Sequence, residues 1–466
     1  MTMTKAQAFF ENISGKRVAI CGLGTNNPPV IHQFLQAGAK VLACDRRTEE
    51  ELGDLAVELK NAGAELCLGE EYLDHLDVDM ILRTPGMKPY LPQFEEARKK
   101  GITVTSEMEL FFELCEAPIY AVTGSDGKTT TTTIIAGLLD AGGIKTFVGG
   151  NIGRALLPFV HDIRLEDAAV VELSSFQLTG MTKSPHVAVI TNVAPNHLDW
   201  HTDMQEYVDA KFNLIAHQTA GDIAVLNLDN EYTYNNWRFN YIRGILPADL
   251  LQFSRKERGM NGCWLNANND IVFCENGEET VVMNVSDIKI PGVHNIENYM
   301  AAIAAVWGKV EPEAIRQFAR AFGGVAHRCE LVRDRRGVRW YNDSIGSSPS
   351  RTIAGLKAFN QKVILIAGGY DKHIPYDPLG PVAKEKVKAA ILMGATAPAI
   401  EKAIRDHSDL PIYRVGGMEE AVNTAAEIAQ DGDIVFMSPA SASFDMYKNF
   451  EVRGNHFRDL VNGLSE

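Results

Sequence analysis

Short apolar runs rich in β-branched residues recur along the chain, and each is followed by a turn and then by a stretch with helical spacing. The runs at 18–20, 120–122, 187–190, 363–366 and 434–436 are apolar at every position rather than at alternate positions. A strand that is apolar on both faces is typical of a parallel sheet covered by helices on both sides. The pattern therefore predicts an α/β fold with mostly parallel sheets.

The chain has 466 residues, which is too long for a single hydrophobic core. Pro118 separates a helical stretch at 107–116 from a new apolar strand, and Gly323-Gly324 marks a second break in the pattern. In the stretch 260–290, isolated apolar residues alternate with Asn and Gly, which predicts a small antiparallel excursion. We therefore predict three domains, at 1–116, 117–324 and 325–466.

The net charge of −15 argues against a protein whose main task is to bind nucleic acid or an anionic membrane, so we expect neither partner. Seven scattered cysteines without a C-x-x-C pair argue against a disulfide framework or a zinc site and favour a reducing, cytoplasmic location. Residues 1–16 lack the apolar core of a signal peptide. No apolar run reaches the length of about 18 residues that a membrane span needs.

A glycine-containing loop joins the strand at 119–122 to a predicted helix at 131–139. Glycines let backbone N–H groups turn towards phosphate oxygens, and the helix N-terminus adds partial positive charge. A lysine and a threonine hydroxyl in such a loop suit the β- and γ-phosphates and a Mg²⁺ ion. Val122 stands where the usual loop has its first glycine. The candidate ATP-binding residues are Gly124, Ser125, Asp126, Gly127, Lys128, Thr129 and Thr130.

Three further polar residues stand near the ends of predicted strands or on a helix. Glu172 closes an apolar strand, His197 follows the strand at 187–190, and Lys211 lies in a helical stretch. In a parallel sheet such strand ends face the ligand crevice, where a carboxylate can bind Mg²⁺. Taken singly, these residues are also compatible with a helix cap, a structural histidine and a solvated lysine.

The N-terminal strand at 18–20 leads into Gly22-Leu23-Gly24, and Asp45 closes the next strand. This arrangement is similar to a dinucleotide-binding fingerprint, in which the acid binds a ribose. Asn27 stands where the third glycine is expected. An NAD-dependent oxidoreductase therefore remains an alternative at this point.

Read together, the motifs resemble the Mur ligase family in order and spacing, over nearly the whole chain. The resemblance rests on the phosphate loop, Glu172 to Gln177 and Asn196 to Asp199, and on a further set of short motifs. These are Gly150-Asn151-Ile152-Gly153, Gly292 to Asn298, His327-Arg328, Asn342-Asp343-Ser344, Gly368 to Lys372 and Ser438 to Ser443.

The resemblance implies Rossmann-like N-terminal and C-terminal domains that flank a central P-loop-type ATPase domain. It also implies an ATP-dependent ligase of cell-wall precursor synthesis, which is expected to be a monomer. The segments at 106–111 and 441–454 favour the members that add D-glutamate to UDP-N-acetylmuramoyl-L-alanine through an acyl phosphate. A sibling ligase for another amino acid, a folylpolyglutamate synthase and a non-catalytic nucleotide-binding relative are the alternatives.

The resemblance implies catalytic roles for Lys128, Glu172, His197 and Lys211, with two Mg²⁺ ions. Thr129 and Glu172 would hold one ion, and His197 with a carbamate on Lys211 would attend the second. ATP would also contact residues near the junction with the C-terminal domain, whose closure the resemblance implies. These residues are Asn295, Arg328 and Asp343.

The resemblance assigns substrate-binding roles at both ends of the chain. Many family members carry a lysine after the residue that matches Ser344, whereas this chain has Ile345, and Lys372 or Arg351 is the candidate replacement. The residues assigned to substrate are Asp45, Arg46, Thr84, Asn151, Lys372, Ser443 and Phe450.

Overall fold

The structure is a computed structural model that describes residues 3–74, 76–235, 248–259 and 261–465. Each of the three predicted segments contributes one sheet, and most strand pairs are parallel, which confirms the α/β fold class. The chain forms two compact units, one of Met1–Val285 with Glu297–Phe318 and the other of Ser286–Ile296 with Ala319–Glu466. The first unit holds both the N-terminal and the central sheet, and the domain boundaries at 116 and 324 stay predictions.

The N-terminal segment forms a five-stranded parallel sheet in the part of the chain that is described. Its elements are β1 (Arg17–Cys21), β2 (Lys40–Asp45), β3 (Glu65–Leu68), β4 (Met80–Arg83), β5 (Thr103–Ser106), α1 (Lys5–Asn12), α2 (Asn27–Gln36), α3 (Glu49–Leu52), α4 (Asp54–Asn61), α5 (Pro92–Lys99) and α6 (Glu107–Leu114). The strand order β3-β2-β1-β4-β5 is that of a Rossmann-like sheet. The N-terminal part of the predicted fold is thereby confirmed.

The middle segment forms a nine-stranded sheet among the described residues. Its elements are β6 (Ile119–Thr123), β7 (Thr146–Gly150), β8 (Ala168–Glu172), β9 (Val187–Ile190), β10 (Ile223–Asn227), β11 (Asp249–Ser254), β12 (Gly262–Leu265), β13 (Asp270–Glu275), β14 (Glu278–Asn284), α7 (Lys128–Ala141), α8 (Ser175–Leu178), α9 (Met204–Ala216), α10 (His294–Val306), α11 (Pro312–Ala321) and two 3-10 turns at Leu157–Phe159 and Val285–Asp287.

The order of the central sheet is β14-β13-β12-β11-β10-β9-β6-β8-β7, and β6 lies between β8 and β9. The antiparallel excursion predicted at 260–290 is present as β12, β13 and β14, which extend the same sheet. Because β6, β8 and β9 are parallel, the loops after their carboxyl ends meet at one edge. That edge positions the candidate site.

The C-terminal segment forms a six-stranded sheet within the described residues. Its elements are β15 (Glu330–Arg335), β16 (Val338–Asn342), β17 (Val363–Ala367), β18 (Val387–Leu392), β19 (Ile412–Arg414), β20 (Ile434–Met437), α12 (Pro349–Lys357), α13 (Leu379–Lys386), α14 (Ala397–Arg405), α15 (Met418–Ile428) and α16 (Phe450–Gly463). The order is β15-β16-β20-β17-β18-β19, and only the pairing of β15 with β16 is antiparallel among these strands.

The parallel strands are buried on both faces, as their continuous apolar runs predict. In β17, Leu365 packs into one apolar core of the C-terminal sheet, while Ile364 and Ile366 pack into the core on the opposite face. The N-terminal and central segments share a further core, whose buried residues run from Ala6 to Leu226 along the chain. Among the described helices, none is both long enough and apolar enough to cross a bilayer.

Arg453 on α16 is fully buried and ties together the loops that follow β16 and β20. Its guanidinium donates hydrogen bonds to the carbonyl oxygens of Ser344 at 2.8 Å, Ser441 at 3.1 Å and Ala442 at 3.0 Å. Burial lowers its pKa to about 10, so the side chain stays charged at neutral pH. One arginine therefore holds the carboxyl ends of two neighbouring strands in place.

We expect Arg453→Met to destabilise the chain by about 3 kcal/mol, because buried carbonyl groups lose their donors. Urea unfolding measures the change. Arg414→Met removes an arginine from an exposed ion pair with Glu401 in the same unit and serves as the control, with an expected change within about 0.5 kcal/mol. Equal losses in the two variants would contradict a special role for Arg453.

Candidate functional site

The predicted phosphate loop occupies the turn between β6 and α7, with Lys128 as the first helical residue. Gly124 has φ +153° and Gly127 has φ +79°, conformations that favour glycine. A Cβ atom on Gly124 would lie 1.9 Å from Thr191 Oγ1, and one on Gly127 would lie 2.4 Å from Asn298 Oδ1. At both positions a neighbouring chain segment approaches so closely that only glycine fits without displacing it.

Two polar residues directly after β9 hold the shape of the phosphate loop. Thr191 Oγ1 donates to the carbonyl oxygen of Asp126 at 2.6 Å, and Asn192 Nδ2 donates to the same oxygen at 3.1 Å. In return, Asn192 Oδ1 accepts from Asp126 N and the Asn192 carbonyl accepts from Ser125 N. Sequence reasoning missed both residues, although they stand at the end of an apolar strand, the same signal that identified Glu172.

Lys128 and Lys211 converge on one backbone oxygen. Lys128 Nζ donates to the carbonyl oxygens of Gly124 and Ser125, each at 3.0 Å, and Lys211 Nζ donates to Gly124 at 2.8 Å. Lys211 is buried, and its ammonium lies 4.6 Å from the centre of the Tyr207 ring. Burial, reinforced by the charge of Lys128, lowers the pKa of Lys211 to about 7.

Glu172 ends β8 beside the loop and is almost fully buried. Its Oε1 accepts a hydrogen bond from Asn151 Nδ2 at 2.7 Å, and its carbonyl accepts from Asn151 N at 2.7 Å. Its Oε2 is buried and has no hydrogen-bond partner within the described chain. Asn151, which the family resemblance assigns to substrate, thus also orients a carboxylate that keeps one oxygen free.

His197 lies in the loop after β9, with its backbone in the left-handed region at φ +54°. The residue as a whole is largely exposed, and the centroid of its ring lies 5.0 Å from that of Phe176. Partial burial lowers the pKa of His197, and the nearby charges of Lys128 and Lys211 lower it further against the opposing effect of Asp199. The structure therefore brings His197 into the electrostatic neighbourhood of the two lysines.

The hydroxyl of Tyr207 connects α9 to the phosphate loop and was not anticipated from the sequence. It lies 2.9 Å from Ser125 Oγ, which in turn donates to the carbonyl of Ala194 at 2.9 Å. Lys211 is one turn further along the same helix face. A tyrosine in a helical pattern looks like a core residue, so only its three-dimensional placement reveals this contact.

The N-terminal candidate residues lie at the carboxyl edge of the first sheet. Asp45 accepts hydrogen bonds from Leu23 N at 2.7 Å and from both Nε and Nη2 of Arg47 at 3.0 Å. Burial alone would raise the pKa of Asp45, but these bonds lower it, so it is ionised at neutral pH. Arg47 is therefore engaged by Asp45, whereas Arg46 is exposed.

A cavity of about 150 Å³ opens beside this edge, between the N-terminal and central sheets of the first unit. Thr84 and Pro85 line it together with the loop at 24–27, and Gln177 contributes from α8 of the middle segment. The predicted substrate residue Thr84 thus borders a cleft. Asp45 is the last residue of the neighbouring strand β2, and Arg46 follows it.

The remaining nucleotide candidates belong to the second unit. Asp343 follows β16 and is buried, and burial raises its pKa to about 6 although Ser438 Oγ donates to its Oδ2 at 2.7 Å. The positive charges of Arg328 and Arg351 act on the same carboxyl group. Asn295 is buried at the start of α10, where its Nδ2 donates to the carbonyl of Pro291 at 2.6 Å.

The candidate D-glutamate residues also lie in the second unit. Lys372 is exposed in the loop after β17, and Ser443 is buried in the loop after β20. Phe450 begins α16, and its ring lies 6.1 Å from that of His327. Arg351, which like Lys372 is a candidate replacement for the cation missing at Ile345, is exposed on α12.

Two family models match the chain. The Mur ligase middle domain matches residues 122–306, and the glutamate ligase domain of the Mur ligases matches residues 327–441. Among curated relatives, the UDP-N-acetylmuramoylalanine–D-glutamate ligase of Acetivibrio thermocellus is 50% identical over 99% of both chains. The enzyme of the same name from Clostridium kluyveri is 47% identical over 98% of both chains.

Solved structures show the same fold at low sequence identity. The UDP-N-acetylmuramate-alanine ligase of Thermotoga maritima has a TM-score of 0.56 at 16% identity and covers 96% of this chain and 99% of its own. MurF from Acinetobacter baumannii has a TM-score of 0.57 at 15% identity, with coverage of 97% and 92%. With full-length relatives at about half identity and matching models for two domains, the chain belongs to the Mur ligase family.

Proposed function

We propose that this chain joins D-glutamate to UDP-N-acetylmuramoyl-L-alanine with hydrolysis of ATP, a step in the synthesis of peptidoglycan precursors. The observation that carries the proposal is the full-length identity of 45–50% to ligases named for this reaction. A sibling ligase, a folylpolyglutamate synthase and an NAD-dependent oxidoreductase are set aside on the same ground. The cluster of charged residues around the phosphate loop supports a catalytic chain rather than a nucleotide-binding relative.

Activation of a carboxylate by ATP requires two anions to approach each other. The γ-phosphoryl group passes to the substrate carboxylate, the amine of D-glutamate attacks the acyl phosphate, and inorganic phosphate leaves. Positive charge at the transferring group lowers the barrier of the first step. Lys128 and the amides at the start of α7 supply that charge at the phosphate loop.

The residues around the loop fit a bound Mg²⁺ ion. The buried Oε2 of Glu172 has no hydrogen-bond partner in the described residues, and an oxygen of this kind suits a hard cation. No three His, Cys, Asp or Glu side chains gather as a metal-binding group in the described ranges. Thr129 and Glu172 would bind one ion, and His197 together with a carbamate on Lys211 would bind a second. The ions would neutralise charge on the phosphates.

Lys211 suits modification to a carbamate because its amine is buried and has a low pKa. A neutral amine adds to CO₂ and releases a proton, which converts a cation into a carboxylate-like anion. The conversion would remove the repulsion between Lys211 and Lys128. It would also give His197 an anionic neighbour, so that the imidazole and the carbamate can bind a cation together.

The uridine diphosphate end of the substrate is assigned to the N-terminal sheet. Asp45 is held in its ionised form and can accept hydrogen bonds from a uracil or ribose. Arg46 offers an exposed cation, and Thr84 borders the adjoining cleft. Asn151 donates a hydrogen bond to Glu172. A substrate-binding role for Asn151 would therefore be coupled to the orientation of the Glu172 carboxylate.

Residues of the second unit are assigned to the amino acid and to part of the nucleotide. Lys372 offers a cation for a carboxylate of D-glutamate, Ser443 a hydroxyl and Phe450 an apolar contact. The nucleotide contacts are assigned to Asn295, Arg328 and Asp343. A cytoplasmic location is part of the proposal and is supported by the seven free cysteines. The monomeric state and the absence of a nucleic-acid partner stay predictions.

Phosphate release with UDP-N-acetylmuramoyl-L-alanine, ATP and single amino acids tests the proposed function. We expect turnover with D-glutamate and at least a hundredfold lower rates with L-lysine or meso-diaminopimelate, because a site with buried polar partners rejects a mismatched substrate by roughly that factor or more. Omission of the uridine substrate is the background control. Turnover with meso-diaminopimelate but not with D-glutamate would overturn the assignment.

Carbamate formation on Lys211 should increase with pH at a constant concentration of dissolved CO₂. Its pKa of about 7 means that the neutral amine grows roughly tenfold between pH 6 and pH 8. Carbon-13 NMR with labelled CO₂ measures the adduct. The signal should be missing in Lys211→Met and present in Lys183→Met, an exposed lysine of the same unit. An equal signal in Lys211→Met would refute the carbamate.

A further inference from the structure

Five aromatic rings form a continuous cluster between the N-terminal sheet and the phosphate loop. Phe176 is its centre, with ring centroids 5.0 Å from His197, 4.7 Å from Trp200 and 5.9 Å from His201. Trp200 also lies 4.7 Å from His201, which lies 5.2 Å from Tyr207. Contacts at these distances are typical of stacked and edge-to-face aromatic pairs. The five rings therefore form one packed group.

Trp200 fastens this cluster to the loop that follows β4. Its indole Nε1 donates to the carbonyl oxygen of Gly86 at 3.3 Å, and the ammonium of Lys88 lies 4.9 Å from its ring centre. Tyr90 at the end of the loop donates to Glu206 on α9 at 2.6 Å. The loop begins at Thr84, which borders the cleft assigned to the uridine substrate. One side of Trp200 thus touches the substrate-side loop.

The cluster also includes His197, whose ring has few other contacts. The ring of His197 forms no hydrogen bond with any residue that the structure describes, and its backbone adopts the left-handed conformation. Among the described residues, Phe176 supplies the aromatic contact of the His197 ring, with an interplanar angle of 63°. Phe176 is in turn packed against Trp200, with their ring centroids 4.7 Å apart.

We propose that Trp200 is a positioning residue for the ligase reaction: braced by the loop at Gly86, it holds Phe176 against His197 and so fixes the His197 ring for its work beside the phosphate loop. The inference rests on the proposed function. It assigns Trp200 no contact with the reacting atoms, and its effect passes through His197.

A spectroscopic test needs no substrate. In ligand-free protein labelled with carbon-13 histidine, the His197 ring signal is identified by its loss in His197→Ala. Trp200→Leu should shift that signal because the Phe176 ring moves, whereas Trp200→Phe should restore most of its position. Trp307→Leu removes a ring stacked at 3.9 Å on Phe273 of β13, away from the cluster, and should leave the signal unchanged. An unmoved signal in Trp200→Leu overturns the proposal.

A kinetic test separates positioning from general stability. Trp200→Leu should lower kcat roughly tenfold with KM for ATP within about twofold, since small misplacements of a working group carry such losses. In a His197→Ala background the same change should alter the residual rate by less than about twofold. Losses that multiply in the double variant would show that Trp200 does not act through His197.

A stability control and a second variant distinguish a loss of positioning from a loss of folding. Thermal unfolding should give Trp200→Leu and Trp307→Leu similar midpoints. Should Trp200→Leu unfold, Phe176→Leu keeps Trp200 and removes the ring between it and His197, and the same fall in kcat is expected. Full activity of folded Phe176→Leu overturns the proposal. Absence of D-glutamate turnover in the unchanged protein would instead refute the proposed function, while the NMR result would still decide the role of Trp200.

Discussion

Two lysine side chains meet at one carbonyl oxygen, and the candidate site depends on this contact. Gly124 accepts hydrogen bonds from both Lys128 and Lys211, which holds the buried amine of Lys211 close to the half-buried ammonium of Lys128. Burial is the main reason why the pKa of Lys211 is lowered to about 7, and the neighbouring charge of Lys128 lowers it further. The strain on this pair is relieved if Lys211 becomes neutral or anionic, or if phosphate oxygens bind.

The parallel sheet makes that meeting possible. Because β6, β8 and β9 run in the same direction, the phosphate loop, Glu172 and the loop of His197 leave the sheet at one edge. Asn192 and Thr191 close the loop from the neighbouring strand, and the absence of a side chain on Gly124 leaves room for them. The strand order thus brings these segments to one edge of the sheet, and the individual side chains then form their contacts there.

Continuous apolar runs predicted the strands because burial on both faces leaves a clear sequence pattern, and the loop with Lys128 was recognisable from its glycines. The role of Lys211 came only from family resemblance, since a lysine in a helical stretch ordinarily faces water. Tyr207 and Trp200 gave no signal in the sequence, because an aromatic residue near a helix reads as core packing. Their contacts join segments distant in the chain, which local patterns do not encode.

The central claim is that the positive charge around Gly124 serves to transfer a phosphoryl group from ATP to a carboxylate. The most direct measurement uses UDP-N-acetylmuramoyl-L-alanine with oxygen-18 in its free carboxyl group, followed by mass spectrometry of the inorganic phosphate released with D-glutamate. An acyl phosphate passes a carboxylate oxygen to phosphate when the amine displaces it, so the account predicts labelled phosphate. Release of unlabelled phosphate together with formation of the amide product would contradict it.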